Sequence, residues 1–282
     1  MVTASAAPVA APARRPSLPR PGEALALAVL ALLLVAALAP GLLTTHDPYG
    51  IQPAEAFQGP SGAHWFGTDE NGRDLFSRVI QGTRSSFLIG VFATALGLGV
   101  AVVLGTAAGL GNRAVDFVVS RILEVGFAIP GIMLALLLAA VLGGGVVASG
   151  LAVGLATAPG YARVIRSQVR AVRGAGYVEA ATVLGRGRWT LLRRHIMPNT
   201  LAPLYVLGTL GIGQAVVWAT SLSFLGIGVV PPNPEWGALL SAGRPYIQNA
   251  WWLTVFPGVF IVLGAACVTV LGRSLQRRTR ER

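Results

Sequence analysis

Five stretches of the chain carry no Asp, Glu, Lys or Arg: residues 24–45, 85–112, 125–162, 195–234 and 245–272. Any helix formed there is apolar on every side, the pattern of a segment solvated by lipid rather than one laid on a core. A helix rises about 1.5 Å per residue and the hydrocarbon layer is about 30 Å thick, so about 20 such residues cross it. The first, second and last runs each predict one span. The run 125–162 is too long for one helix and is interrupted at Gly143-Gly144-Gly145; counted back to Asp116, it predicts two spans, 118–142 and 146–165. The run 195–234 predicts one span, 199–222, stopped before Pro231, Pro232 and Pro234, which a helix interior rejects. The expected fold is an all-α integral membrane protein with six transmembrane helices.

The chain then divides into an Ala- and Pro-rich tail, 1–22, predicted disordered, a first span, 23–45, and an outer segment, 46–84. A five-span core, 85–272, follows, holding one long loop, 166–198, and the chain closes with a tail, 273–282. Arg14, Arg15 and Arg20 before an apolar stretch ending Ala37-Leu38-Ala39 imitate a secretory signal. The stretch is long enough to span and Pro40 follows directly, so the span is expected to be retained.

Composition narrows the function. Hydrophobic residues make up 54% and charged residues 12%, against about 25% charged in soluble domains, which excludes an ordinary water-soluble enzyme. All 22 basic residues are arginine. The chain therefore has no P-loop lysine for ATP phosphates and no lysine nucleophile or base. Cys267 is the single cysteine, excluding an internal disulfide or a cysteine metal cluster. His46, His64 and His195 lie far apart and no His-Glu-x-x-His occurs; no metal site and no catalytic residue is read. With six spans, 18 of the 22 arginines fall on one side, so both termini are expected to be cytoplasmic. The net charge of +11 is thus a topology signal facing lipid headgroups, not a nucleic-acid surface.

Ala93, Gly97, Ala101, Gly105 and Gly109 recur every four residues in the second span, a smooth stripe for close helix packing. Pro130 and Pro159 predict kinks. Arg121 and Glu124 are spaced to pair on one helix face. No acid or histidine stands near a bilayer midplane, as a proton-driven carrier requires, so the energy for transport is expected from another polypeptide.

The loop 166–198 reads RSQVRAVRGAGYVEAATVLGRGRWTLLRRHIMP. Tyr177 to Leu184 predicts a short helix, with Glu179 in its first turns. Gly185 is placed to end it at positive φ. A second helical stretch, Trp189–Met197, leads to Pro198 and the next span. Ala180 and Ala181 offer a small-residue face for insertion into a partner's cleft. In the outer segment, Asp69 and Arg73, and Asp74 and Arg78, are four apart. They read either as surface pairs worth about 0.3–0.5 kcal/mol each or as a gate or docking surface built on Asp69, Arg73 and Asp74.

Glu179-Ala180-Ala181, Gly185 after three residues, and the later Pro198 resemble the EAA loop of ATP-binding-cassette importer permeases. His195-Ile196-Met197-Pro198-Asn199 is similar to the His-Ile-Leu-Pro-Asn form of the dipeptide/oligopeptide/nickel group, with Met for Leu, a near-isosteric change. His64-Trp65-Phe66-Gly67-Thr68-Asp69-Glu70-Asn71-Gly72-Arg73-Asp74 resembles that group's signature before the second span. Ser221-Leu222-Ser223-Phe224-Leu225-Gly226, Pro231-Pro232 and Pro234-Glu235-Trp236-Gly237 look like its connection between the fifth and sixth spans.

The resemblance, covering roughly residues 22–275, implies the second, C-type permease of an importer for di- or oligopeptides, with 166–198 as its cytoplasmic coupling-helix loop. It implies a homologous permease partner, two ATP-binding subunits coupled through Tyr177, Glu179, Ala180, Ala181, Gly185 and Pro198, and an extracytoplasmic substrate-binding protein. ATP and magnesium would be used by those partners, with no cofactor bound here. The same architecture importing nickel or another small solute, and a stand-alone secondary carrier, remain the alternatives.

Overall fold

A computed structural model describes residues 21–201 and 204–280. Among them the only β pairing is a single antiparallel bridge between Thr68 and Asp74; the rest is helix and connection. Of the expected tail 1–22, residues 1–20 lie outside the described residues, while Pro21 and Gly22 already open α1 (Pro21–Leu38). Then come α2 (Leu75–Leu110), α3 (Arg113–Ala128), α4 (Gly131–Leu142), α5 (Val146–Arg173), α6 (Gly176–Val183) and α7 (Arg188–Leu191). The order ends with α8 (Met197–Leu201), α9 (Leu204–Phe224), α10 (Trp236–Gly243) and α11 (Trp252–Arg280).

Several expected boundaries move: α1 stops at Leu38, short of 45, and α11 runs to Arg280 through most of the expected tail 273–282. The second helix begins at Leu75, not at the edge of the uncharged run, so the last ten positions of the expected outer segment 46–84 are helical. The cause is a cap: the Asp74 carboxylate accepts from the Ser77 backbone N–H at 2.8 Å, satisfying one of the donors a helix start leaves open. With 36 residues, α2 is about 54 Å long and projects beyond a bilayer. The expected single span 118–142 is instead two helices, α3 and α4, meeting at 92°. Ile129 (φ −110°, ψ 134°) is extended, as the clash between a proline ring and its predecessor dictates, and Pro130 (φ −51°, ψ 131°) is extended as well.

Among the described residues four helices, α1, α2, α9 and the first part of α11, are long and apolar enough to cross a membrane, and a fifth span results if the bent α3–α4 pair counts as one. The 28-residue α5 carries arginines along its second half. It lies along α2, and the small-residue stripe is the seam. Ala93 and Ala101 are fully buried. A Cβ at Gly97 would stand 2.9 Å from the Gly154 carbonyl oxygen, and one at Gly109 would stand 2.5 Å from Val169 Cγ1. Pro159 sits inside α5 without ending it. On the other side α2 packs against α9, which packs against α11, and α1 lies across α11 and α2.

Candidate functional site

The two ends of α2 separate two constructions. Beyond Leu110 lies the loop that joins α5 to α9; before Leu75 lies the segment that joins α1 to α2.

The loop is almost wholly helical. α5 runs on to Arg173, the chain turns at Gly174, and α6 follows. Its end is a Schellman turn: Gly185 N–H donates to Thr182 O at 3.0 Å and Arg186 N–H to Ala181 O at 3.1 Å. Gly185 has φ 75°, the left-handed conformation that costs other residues about 1–2 kcal/mol. After Gly187 a second helix starts at Arg188 and passes without interruption into α8. Pro198 lies inside this helix, a correction to the expectation that it starts the next span. A proline offers no N–H and crowds the carbonyl four residues back. The turn before it widens accordingly: residues 192–196 form a π turn in which Met197 N–H donates to Leu192 O.

α6 turns Val178 and Ala181 inward and leaves Tyr177, Glu179 and Ala180 exposed. The expected face of paired alanines therefore does not exist, since adjacent helical residues point about 100° apart and only Ala180 faces out. The feature that residue spacing does not disclose is apolar. Val183 is 87% exposed, Leu184 79% and Trp189 72%, and they flank Gly185. Three large side chains left uncovered by the rest of the chain around one tight turn form an exposed apolar patch. A cleft of about 770 Å³, lined by Leu110, Asn112, Arg173, Glu179, Thr182 and Arg188 among others, separates this loop from the end of α2.

The loop is tied to the bundle by charge. Asp116 at the start of α3 meets Arg166 Nη2 at 2.5 Å and Arg170 Nη2 at 2.7 Å, both on α5. Arg121 and Glu124 pair at 2.6 Å on an exposed face, at the spacing expected of them. Arg163 stacks on Phe127, 3.8 Å from the ring centroid.

At the other end the charged residues are buried, not surface pairs. Arg73 Nε donates to Asp69 Oδ2 at 2.7 Å, and Asp69 Oδ1 accepts from the backbone N–H groups of Asn71 and Arg73. This is a loop, not a helix, so the four-residue spacing arises from a turn. Arg78 reaches Asp69 at 3.5 Å rather than Asp74; Asp74 instead caps α2 and meets His64 Nδ1 at 2.9 Å. With Asp69, Arg73 and Asp74 all turned inward, their side chains form a brace within the segment rather than an exposed docking face. Trp252, at the start of α11, donates from its indole to Thr68 O at 3.1 Å and closes the same brace.

Glu235, in the connection between α9 and α10, is fully buried. Burial pushes its carboxyl above the ordinary value, against hydrogen bonds from Gly237, Ser223, Ala238 and Ser86. The fold also brings together His46 and His64, whose separation in sequence hid the pairing: their rings lie 4.8 Å apart beside Asp74.

Residues 101–281 match the family described as binding-protein-dependent transport system inner membrane component. The chain is 40% identical over 88% of its length to a probable D,D-dipeptide transport system permease protein of Escherichia coli (strain K12), covering 83% of it. It is 38% identical over 88% of its length to a dipeptide transport system permease protein of Alkalihalophilus pseudofirmus, covering 81%. To a glutathione transport system permease protein of Pectobacterium atrosepticum it is 38% identical over 78% of its length, covering 73%. In fold it is similar to a chain of the inward-facing MetNI methionine ABC transporter, with a TM-score of 0.55 at 20% identity, over 71% of this chain and 93% of that one. A chain of an amino acid ABC transporter with histidines gives 0.57 at 15% identity, over 71% and 94%.

Proposed function

The chain belongs to the family of binding-protein-dependent transport system inner membrane components, as a permease subunit of an ATP-binding-cassette importer, and we propose that its cargo is a di- or oligopeptide. Named relatives acting on D,D-dipeptides, dipeptides and glutathione support that class. It works with other transporter subunits; the set proposed is one homologous permease, two ATP-binding subunits and an extracytoplasmic binding protein.

The observation that carries the mechanism is the exposed apolar collar of Val183, Leu184 and Trp189 around the Gly185 turn. In the proposed reading an ATP-binding subunit grips that collar together with Tyr177, Glu179 and Ala180, while Ala181 seats α6 on the bundle. Force on α6 enters a helix that is continuous from Arg188 through Pro198, so a displacement is not absorbed by a flexible linker. The bundle responds by changing the side on which its path opens. ATP and magnesium act only in the partners, in keeping with the absence of any lysine for a P-loop, and this subunit catalyses no bond-breaking itself. The arginine asymmetry, 18 of 22 on the α6 side, supports cytoplasmic termini and a cytoplasmic α6. Six spans result when α5 is counted with the α3–α4 pair.

Uptake by the reconstituted complex tests the cargo. A labelled dipeptide accumulates with ATP and binding protein, and nickel ion does not; nickel uptake without peptide uptake overturns the peptide reading in favour of the metal one.

A further inference from the structure

We propose that the segment between α1 and α2 holds a divalent transition-metal site of zinc type, with His46, His64 and Asp74 as ligands. One ligand-type atom from each of the three lies within 4.8 Å of the others. His64 Nδ1 is 2.9 Å and His46 Nδ1 3.8 Å from the same oxygen, Asp74 Oδ1. Two imidazoles and a carboxylate are a donor set that suits zinc.

The two oxygens of Asp74 are divided between tasks. Oδ2 accepts from Ser77 N–H and caps α2, which fixes the carboxylate and leaves Oδ1 facing both rings. His64 is held from behind: its Nε2 is 3.3 Å from Glu55 Oε2. A carboxylate behind a ligating imidazole fixes the tautomer and raises the basicity of the other nitrogen. His64 Nδ1 and Asp74 Oδ1 share a 2.9 Å hydrogen bond; an ion would take the place of that proton, and the neighbouring imidazole of His46 supplies the third donor.

The fit asks for movement mainly of His46. Metal–ligand bonds of about 2.0–2.1 Å in a tetrahedron separate ligand atoms by about 3.3 Å. The His64–Asp74 contact opens slightly, and His46 swings in from 3.8 Å of Asp74 Oδ1 and from within 4.8 Å of the His64 ligand atom. The His46 side chain is 40% exposed, so it can swing, exchanging its 3.1 Å contact with Thr45 Oγ1, and it leaves a coordination position to water. An ion there would tie the exit from α1 to the first turn of α2, a tie already sketched by Ser77 Oγ, which accepts from Thr45 N–H and His46 N–H at 3.2 and 3.1 Å.

The test uses the assembled transporter purified without a histidine tag and stripped with chelator. Zinc chloride is titrated in competition with a chromophoric chelator, and thermal melting is followed with and without zinc. Wild type should bind one zinc per copy of this chain and melt higher with it. His46→Ala should melt as wild type does without zinc, bind at least tenfold more weakly and lose the zinc-dependent rise. His195→Ala, at the far end of the bundle, should behave as wild type. Absence of stoichiometric zinc binding by wild type, which leaves a proton as the occupant, overturns the site, as does undiminished binding by His46→Ala.

Discussion

Gly105 faces Ala162 so closely that a Cβ at Gly105 would stand 2.8 Å from the Ala162 carbonyl oxygen, and equally close to Ile165 Cβ. Backbone carbonyl and β-branched carbon are both unable to step aside, so α2 and α5 can approach only while position 105 lacks a side chain. Gly105→Val is expected to lower stability by about 1–3 kcal/mol through overpacking. Gly99 on the same helix has open space around it, so Gly99→Ala should leave thermal melting in detergent unchanged or slightly raised. Equal losses from both would mean that glycine content, not the seam, matters.

The Asp69–Arg73 pair is buried and hydrogen-bonded. Removing one partner leaves Asp69 with only Arg78, or Arg73 with only Glu70, each at 3.5 Å, so the loss approaches, without reaching, the cost of about 3–5 kcal/mol for a stranded buried charge. Arg73→Ala and Asp69→Asn should each lower the melting temperature strongly. The double variant should lose far less than the sum. Additive losses in that cycle would return the pair to the surface class that its spacing suggests.

Glu235 gives a pH signature. A carboxyl raised by burial binds its proton more tightly folded than unfolded. Its contribution to stability is therefore full below the ordinary carboxylate value, and falls as pH rises through the raised one. Wild-type melting temperature should decline across that window, and Glu235→Gln should flatten the decline while keeping an acceptor for Ala238 N–H. Glu235→Leu, which leaves that donor and Ser86 without their partner, should melt lower at every pH. Parallel wild-type and Glu235→Gln profiles would show that the carboxyl binds its proton equally in the folded and unfolded chain, against a raised value.

At the Gly185 turn a Cβ would meet nothing within 4 Å, yet φ is 75°. Gly185→Val should therefore leave insertion and bundle packing intact while straining the turn by about 1–2 kcal/mol. The check is the amount of ATP-binding subunit that co-purifies, expected to fall severalfold. Undiminished recovery with normal uptake would remove Gly185 from the coupling role.

Local signals are readable where chain neighbours decide the outcome. α6 and its positive-φ stop follow from Glu179, Gly185 and their spacing, and the stripe from Gly97 to Gly109 announces a close helix partner. Pro130 promises a bend, but not one of 92°, because the angle is set by what α4 packs against. Charge misleads at the start of α2: Arg78 and Arg84 end the uncharged run at 85, although Asp74 caps the helix ahead of them. Burial of Asp69 and Arg73, the inward turn of Ala181 and the meeting of His46 with His64 are products of tertiary packing, on which residue spacing along the chain carries no information.

Uphill peptide uptake into vesicles asks most directly whether motion enters this chain from a bound ATPase. With the companion permease, both ATP-binding subunits and the binding protein present, wild type should accumulate peptide only with ATP. Leu184→Asp, which places a charge in the exposed collar without touching the bundle, should insert and melt normally yet accumulate none. Accumulation by vesicles holding this chain alone, with no nucleotide, would contradict the account.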